Sequence, residues 1–323
     1  MATNVNKFEY EKSTISRYQK IITKLRSLIH EETEEEIDKD LVFITHKEIV
    51  ADILIGEESR FKLNTGTAYI SAVLWHIRSK LFKCEELLSQ CSEAVEFYRD
   101  LQDKNKEIFQ KQEYERNFSL TEREEKTFIR WEDFLRLQQS MDEDPDTRAN
   151  YSSFLDFVIV SLYTLHPPVR LDYCNMDVYL NDEDIPESQS DNYVCMFPDS
   201  GQGYFAFLKY KTYKTHGVQT IQIDDKLHSI LSEWLSVNNG NQLLCTYSKH
   251  KNVYKSLSEN SLSKRLARIF ELHFGKLASV NILRHSFISY QSRNDQPIME
   301  KRENARRMLH TSLEADEYRR YVY

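Results

Sequence analysis

Six polar side chains in the second half of the chain have the types that phosphate chemistry uses. They are Arg170, Lys211, Lys214, Arg284, His310 and Tyr318. Arginines hold two phosphate oxygens at once and stabilise the charge that develops in a transition state. A lysine can protonate a leaving oxygen, and a tyrosine hydroxyl can attack phosphorus and form a covalent phosphoester. The set therefore predicts a site that handles a phosphodiester.

Arg284 is the residue of this set that is hardest to explain as a surface side chain. It lies in "VNILRHSFIS" (280–289), where Leu283 and Phe287 recur at helical spacing and predict a helix face packed on a core. Burying a guanidinium costs several kcal/mol unless it is paired with an anion. We therefore predict that Arg284 is buried and that its partner is the phosphate.

Each of the other residues also has a structural explanation when it is taken singly. Arg170, after "LYTLHPPV", suits a helix-capping or surface role, and the lysines of "KYKTYKTHG" suit the protection of an edge strand. His310 closes the predicted helix "ENARRML", where it would complement the helix dipole. Tyr318 lies near Tyr321 and Tyr323, and a terminal tyrosine cluster is often packing. The chemical interpretation depends on the residues acting together.

The order and local contexts of these residues resemble the catalytic domain of tyrosine recombinases, a DNA breaking-and-rejoining superfamily that includes type IB topoisomerases. "LYTLHPPVRLDYCNMDV" (162–178) resembles the branch found in eukaryotic DNA viruses and Crypton-type mobile elements. The other matching segments are "SKRLARIFELHFGK" (263–276), "SVNILRHSFISY" (279–290) and "MLHTSLEADEY" (308–318). The resemblance covers roughly 120–323 by motifs and 1–118 by helical character alone.

The resemblance implies a role for each residue. Arg170 and Arg284 would hold the scissile phosphate, and His310 would hydrogen-bond a phosphate oxygen. Lys211, with Lys214 as the alternative, would be the general acid for the 5′-oxygen. Tyr318 would be the nucleophile that forms a 3′-phosphotyrosine, and Asp172 would take the structural acidic position.

The chain departs from the family pattern in two places. Asn281 stands where the second box usually has a histidine, and an amide can donate a hydrogen bond but cannot accept a proton. Only five residues follow Tyr318, whereas many recombinases have a longer tail that docks on a neighbouring protomer. We therefore expect Asn281 to act at the catalytic site as a hydrogen-bond donor to the phosphate, without the base assistance that a histidine gives, and the short tail does not favour that mode of assembly.

The elements that must position these residues predict a mainly α fold with a small antiparallel sheet (α+β). We expect a helical DNA-clamping (core-binding) domain at 1–118 and a tyrosine-recombinase-type catalytic domain at 119–323, with 118–134 beginning as a linker. Apolar residues from Ile15 to Ile29 recur every three or four positions, with Thr14 as the N-cap. Strands are predicted at "YVCMFPD", "GYFAFLKYK" and "VQTIQI", and helices from about 226 to the end.

Charge and composition set the expected partners. The net charge is -8, yet residues 241–323 hold 15 Lys and Arg against 8 Asp and Glu. Because the local field matters more than the total, this region can bind phosphates. We predict that Lys214, Lys264, Arg265 and Arg268 contact double-stranded DNA, with self-association on DNA possible. No phosphate-binding glycine loop or metal-ligand spacing is present, so we expect catalysis without metal, nucleotide or other cofactor.

Five scattered cysteines predict a reducing, intracellular compartment, in the nucleus or at a cytoplasmic site of DNA processing. Because no apolar run is long enough to span a membrane, we expect no membrane partner. The predicted function is that of a site-specific DNA recombinase or integrase. The alternatives are a type IB topoisomerase-like relaxing enzyme and a catalytically silent DNA-binding architectural or packaging factor of the same fold. An acidic helical scaffold for protein partners is a further alternative.

Overall fold

The structure is a computed structural model, and it describes residues 11–33, 38, 40–55, 59, 61–81, 83–115, 119–294, 296–311 and 318–320. The chain forms two compact units, Met1–Asn117 and Phe118–Tyr323. Within the described part of the chain, no helix is both long and apolar enough to span a membrane.

The first unit is built from helices. Their bounds are Lys12–Thr33 (α1), Val42–Thr45 (α2), Lys47–Ile55 (α3), Leu63–His76 (α4) and Leu88–Glu115 (α5). A π-helical turn, Ile77–Leu81, extends α4, and a 3-10 turn, Glu85–Leu87, precedes α5. The helical character predicted for this region is confirmed.

The apolar faces read from the sequence form the core of this unit. Ile22, Leu25 and Ile29 of α1 are buried, as are Val73 of α4 and Leu81 of the π-helical turn. The spacing of three and four residues places each set on one side of its helix.

The predicted start of α1 is wrong. The helix begins at Lys12, so Thr14 lies within it and is not its N-cap. A threonine favours a helix start only weakly, and it is tolerated in the first turns of a helix that packing holds in place.

The second unit holds eight α-helices within residues 119–311, excepting residue 295, and two 3-10 turns, Pro145–Arg148 and Asp182–Asp184. The α-helices are Glu122–Thr127 (α6), Trp131–Glu143 (α7), Tyr151–Thr164 (α8), Tyr213–His216 (α9), Asp225–Val237 (α10), Glu259–Phe274 (α11), Val280–Arg293 (α12) and Ile298–Arg307 (α13). The predicted helix starting at Trp131 is confirmed. The predicted linker ahead of it contains α6, because Thr121 and Glu124 form a capping box that starts a helix there.

A four-stranded sheet lies in the second unit, in the order β1-β2-β3-β4. The strands are Asp177–Tyr179 (β1), Tyr193–Phe197 (β2), Gln202–Phe207 (β3) and Gln219–Gln222 (β4). The predicted strands correspond to β2, β3 and β4, which pair antiparallel. The sheet is nevertheless mixed, because β1 pairs parallel with β2. Residues 180–192 provide the long return connection that a parallel pair requires.

A second, two-stranded sheet corrects the expectation of helices from 226 onward. Cys245–Ser248 (β5) and Val253–Ser256 (β6) pair antiparallel as a hairpin between α10 and α11. Its turn contains Asn252 at a φ of 48°, a left-handed conformation that asparagine tolerates better than most residues.

The core of the second unit surrounds α8. This helix buries nearly its whole circumference, with Phe157, Val158 and Ile159 all fully buried. It ends at Thr164, with Leu165 as its C-cap, and the prolines of "HPP" (166–168) prevent the helix from continuing. The buried segment 166–169 then leads to Arg170.

Candidate phosphate-handling site

Arg284 is completely buried on α12, as predicted. Its Nη1 donates a hydrogen bond to the Pro168 carbonyl oxygen at 2.6 Å, and both Nη atoms lie 3.5 Å from the Met308 carbonyl oxygen. Its Nε has no hydrogen-bond partner among the described residues. Carbonyl oxygens of the chain itself therefore accept from the guanidinium, so its burial does not by itself require a phosphate. The bond to Pro168 also brings α12 close to the segment that carries Arg170.

His310 lies beside Arg284 in a turn and not, as predicted, in a helix. The helix α13 ends at Arg307, and Leu309 adopts a φ of 60° that turns the chain back toward the core. The His310 Nε2 contacts Arg284 Nη2. Burial, with the charges of Arg284 and Arg170, lowers the pKa of His310 to about 2. The ring is therefore neutral, with Nε2 as the acceptor and the proton on Nδ1.

Tyr318 lies over the same two residues. Its ring centroid is 5.0 Å from the Arg284 Cζ and 5.3 Å from the centroid of the His310 ring. Its carbonyl oxygen accepts a hydrogen bond from His285 Nδ1 at 2.7 Å. The alternative tyrosines, Tyr321 and Tyr323, lie outside the described residues. Tyr318 is thus the tyrosine that the structure brings to the buried arginine.

Arg170 is half-buried next to this group. Its backbone N–H donates to Asp172 Oδ2 at 3.0 Å, and its carbonyl oxygen accepts from the Tyr163 hydroxyl. The Arg170 guanidinium makes no hydrogen bond or ion pair with any described residue, although its charge lowers the pKa of both Arg284 and His310. Backbone contacts thus hold Arg170 in place while its side chain stays available.

The carboxyl group of Asp172 interacts electrostatically with both arginines of the site. Burial raises the pKa of this carboxyl group, and the charges of Arg284 and Arg170 oppose that rise without overcoming it. The Asp172 carbonyl oxygen also accepts from Asn192 Nδ2 at 3.0 Å. The position is consistent with the structural acidic role that the resemblance implies.

Lys211 and Lys214 lie in a longer connection than the tight one predicted. The chain takes residues 208–218 to pass from β3 to β4, and the short helix α9 within them carries Lys214. Both lysines are exposed. Thr212 Oγ1 donates to the Leu309 carbonyl oxygen at 2.8 Å, which fixes this connection beside His310. Burial lowers the pKa of His310, and the Lys211 charge adds to this effect.

Asn281 is exposed in the first turn of α12. Residues three apart on a helix share a face, so Asn281 lies on the side of α12 that carries Arg284. Among the described residues its amide makes no hydrogen bond. The amide is thus available to a ligand at this face.

The predicted DNA contacts of α11 differ from one another in their surroundings. Lys264 and Arg268 are exposed, whereas Arg265 is half-buried. Arg265 Nε donates to Asp156 Oδ1 at 2.5 Å, and Arg268 Nη2 donates to Asp156 Oδ2 at 2.7 Å. Arg265 Nη2 further donates to the Ser152 carbonyl oxygen at 2.6 Å. Arg265 therefore fastens α11 to α8, and its charge is largely offset by Asp156.

The sequence analysis missed the role of His285 and the β5–β6 hairpin. His285 follows Arg284 directly, and burial followed by the charge of Arg320 lowers its pKa to about 4. Because it donates from Nδ1 to Tyr318, it holds the backbone of the tyrosine. The hairpin β5–β6 was also missed, with exposed Lys249, Lys251 and Lys255. The β-branched and aromatic residues around its lysines were the available signal for a hairpin.

The described residues contain no group of three or more His, Cys, Asp or Glu that could hold a metal ion. The assembled site is instead cationic, with two guanidiniums and an exposed lysine around a neutral histidine and a tyrosine. This arrangement can bind a phosphate and present a hydroxyl to it.

Comparisons with known proteins add little to this geometry. No protein-family model and no curated protein sequence matches the chain. Among solved structures, the chain is similar to the crystal structure of XerA recombinase at 12% sequence identity, over 97% of this chain and 94% of that chain, with a TM-score of 0.39. A likeness at that TM-score carries no argument about family or activity.

Proposed function

We propose that this chain breaks and rejoins DNA strands through a 3′-phosphotyrosine intermediate on Tyr318. The observation that supports this proposal is the meeting of three distant segments. The Tyr318 ring lies 5.0 Å from the Arg284 Cζ and 5.3 Å from the His310 ring, beside an Arg170 guanidinium that no described residue pairs. A nucleophile next to two arginines is suited to attack on a phosphodiester.

In the proposed reaction the scissile phosphate enters between Arg170 and the Arg284–Tyr318 pair. Arg284 has no exposed surface in this state, so the Tyr318 ring must shift before a phosphate oxygen can reach the Arg284 guanidinium. The hydroxyl oxygen then attacks phosphorus while its proton passes to solvent, and the bond to the 5′-oxygen breaks. Lys211 would give that oxygen its proton. The neutral His310 can donate from Nδ1 to a phosphate oxygen, and the Asn281 amide can do the same.

The proposed substrate is double-stranded DNA, and the proposed activity is site-specific recombination or integration. A type IB topoisomerase-like relaxing enzyme would use the same chemistry and would return the 5′-hydroxyl to its own strand. The structure offers one observation for a catalytically silent DNA-binding factor of the same fold. Arg284 already donates to two carbonyl oxygens and lies under the Tyr318 ring.

A nicked suicide duplex tests this proposal. The short fragment that carries the freed 5′-hydroxyl diffuses away after cleavage, so the protein stays covalently attached and migrates as an adduct on a denaturing gel. A library of nicked duplexes supplies the unknown site, and the reaction is run in EDTA without ATP. We expect adduct with the unchanged chain and with Tyr114→Phe, a control at an exposed tyrosine. We expect none with Tyr318→Phe.

The outcomes separate the alternatives. Tyr318→Phe removes one hydroxyl, so it should bind DNA as tightly as the unchanged chain. DNA binding without any adduct would favour the silent factor. Adduct formation that requires magnesium would point to a different chemistry, and an undiminished adduct with Tyr318→Phe would assign the nucleophile to another tyrosine.

A further inference from the structure

We propose that Glu124 and Arg320 form an anchor that positions Tyr318 for attack, with Ser289 as its third member. This inference rests on the proposed function, because it assigns positioning residues to the same site. The anchor joins the helix α6 to the segment 318–320. Neither Glu124 nor Arg320 belongs to the residues that touch the proposed phosphate.

Thr121 holds the Glu124 carboxylate in the capping box of α6, independently of Arg320. The Glu124 Oε2 accepts from the Thr121 backbone N–H and from the Thr121 hydroxyl, each at 2.9 Å, which completes the capping box of α6. Its other oxygen, Oε1, accepts from Arg320 Nε at 3.1 Å. One carboxylate therefore caps a helix with one oxygen and holds the tail segment with the other.

Two further hydrogen bonds fix the same segment on α12. The Arg320 backbone N–H donates to Ser289 Oγ at 2.8 Å, and Ser289 Oγ donates to the His285 carbonyl oxygen at 2.6 Å. His285 Nδ1 in turn donates to the Tyr318 carbonyl oxygen. The Tyr318 carbonyl group and the Arg320 N–H are thus both held on α12, and the Tyr318 ring lies over the Arg284 guanidinium.

The burial of the Glu124–Arg320 pair separates it from ordinary surface ion pairs. The side chains are 10% exposed for Arg320 and 20% exposed for Glu124. Burial alone would raise the pKa of Glu124, but the Thr121 N–H and the Arg320 charge outweigh it, and the pKa is lowered. The carboxylate is therefore ionised at neutral pH, and a buried charge pair is costly to break from one side.

Catalysis by Tyr318 depends on where its hydroxyl lies relative to phosphorus. A displacement of about 1 Å in a reacting group can cost on the order of a hundredfold in rate. Glu124→Gln is the informative substitution, because glutamine keeps the capping box while the charge is removed. Arg320→Gln removes the charge from the other side. Glu125→Gln is the matched control, since Glu125 is an exposed carboxylate of the same helix.

The first measurement is hydrogen exchange of the full-length chain without DNA, read at the peptide that contains residues 318–320. We expect about tenfold faster exchange there in Glu124→Gln and Arg320→Gln, because a lost anchor of about 1.4 kcal/mol permits that much more opening. Glu125→Gln should match the unchanged chain. Equal exchange in all four proteins would overturn the anchor. Hydrogen exchange is measured without DNA cleavage, so its result does not depend on the proposed function.

The second measurement is the single-turnover rate of adduct formation at saturating nicked DNA. We expect Glu124→Gln and Arg320→Gln to lose about tenfold or more in this rate, with DNA affinity unchanged. Arg320→Lys, which keeps the charge, should recover part of the loss. Faster exchange with an unchanged adduct rate would overturn the positioning role. If the unchanged chain forms no adduct, the proposed function and this positioning role fall together, and the exchange data alone decide the anchor.

Discussion

At the scale of the residue, Arg284 holds a positive charge inside the protein with carbonyl oxygens as its acceptors. The Pro168 and Met308 carbonyl groups and the neutral His310 surround it, and Tyr318 covers its face. Burial lowers the pKa of Arg284, yet a guanidinium keeps its proton in proteins. A charge retained in such a place favours an anion that enters the site.

The corresponding prediction is that Arg284→Lys loses about a hundredfold or more in adduct rate, because an ammonium group cannot present two parallel N–H donors to a phosphate. The unfolding free energy should also fall, by about 1–3 kcal/mol, since the carbonyl oxygens lose a partner. Arg293→Lys, on the exposed side of α12, serves as the control for both readings. An Arg284→Lys chain that is fully active would exclude Arg284 from the reaction.

At the scale of the element, the connection between β3 and β4 carries both lysines that are candidates for the general acid. The bond from Thr212 to Leu309 ties this segment to the turn that carries His310, and Lys211 precedes Thr212 directly. Lys214 lies in α9, further along the connection. We therefore expect Lys211, and not Lys214, to act as the general acid.

We predict that Lys211→Ala slows cleavage of an ordinary phosphodiester by roughly 10²–10⁴-fold, the range typical of a lost general acid. A substrate with sulfur in place of the 5′-bridging oxygen should restore the rate, because a thiolate leaves without being protonated. Lys214→Ala should behave like the unchanged chain in cleavage. Restoration by sulfur in Lys214→Ala but not in Lys211→Ala would reverse the assignment.

A second prediction at this scale concerns α11, where two neighbouring cations have different surroundings. Lys264→Ala should weaken DNA binding and reduce the slope of log affinity against log salt by about 1, because one phosphate contact is lost. Arg265→Ala should instead lower the unfolding free energy, since it leaves Asp156 with less compensation in a half-buried position. Salt titration and chemical denaturation of both variants check this. Equal effects of the two substitutions on the salt slope would contradict it.

At the scale of the whole molecule, the buried His166 and His310 and the half-buried His285 make stability depend on pH. Burial and nearby cations lower the pKa of His166 to about 3, of His285 to about 4 and of His310 to about 2. In the unfolded chain each histidine takes up a proton near pH 6.5. The unfolded state therefore binds more protons as the pH falls below about 6.5, and acidification favours unfolding.

We predict that the unfolding free energy is at its full value above pH 6.5 and declines between pH 6.5 and 4.5, with each histidine adding at most about 1.4 kcal/mol per pH unit. His285→Gln should make this decline shallower, because glutamine does not titrate and can still donate to Tyr318. His250→Gln, at an exposed histidine, should leave the slope unchanged. Denaturant titrations at three pH values measure it, and an identical slope in His285→Gln would refute the assignment.

The sequence alone determined those features that arise from neighbours along the chain. The faces of α1 and α12, the start of α7, the strands β2 to β4 and the burial of Arg284 follow from apolar periods of 3.6 and 2. A mainly α fold with a small sheet could be predicted for the same reason. The identity of the candidate residues needed only their types and order.

Only the tertiary structure decided the features that depend on distant partners. Local patterns could not indicate that β1 pairs parallel with β2. They also could not indicate that Asp156 forms an ion pair with Arg265, or that the left-handed conformation of Leu309 turns His310 away from α13. Glu124 and Arg320, 196 positions apart, illustrate the reason. The two partners of an ion pair need not follow any regular spacing in the sequence, so packing in three dimensions determines which residues meet. Burial then makes an unpaired charge costly.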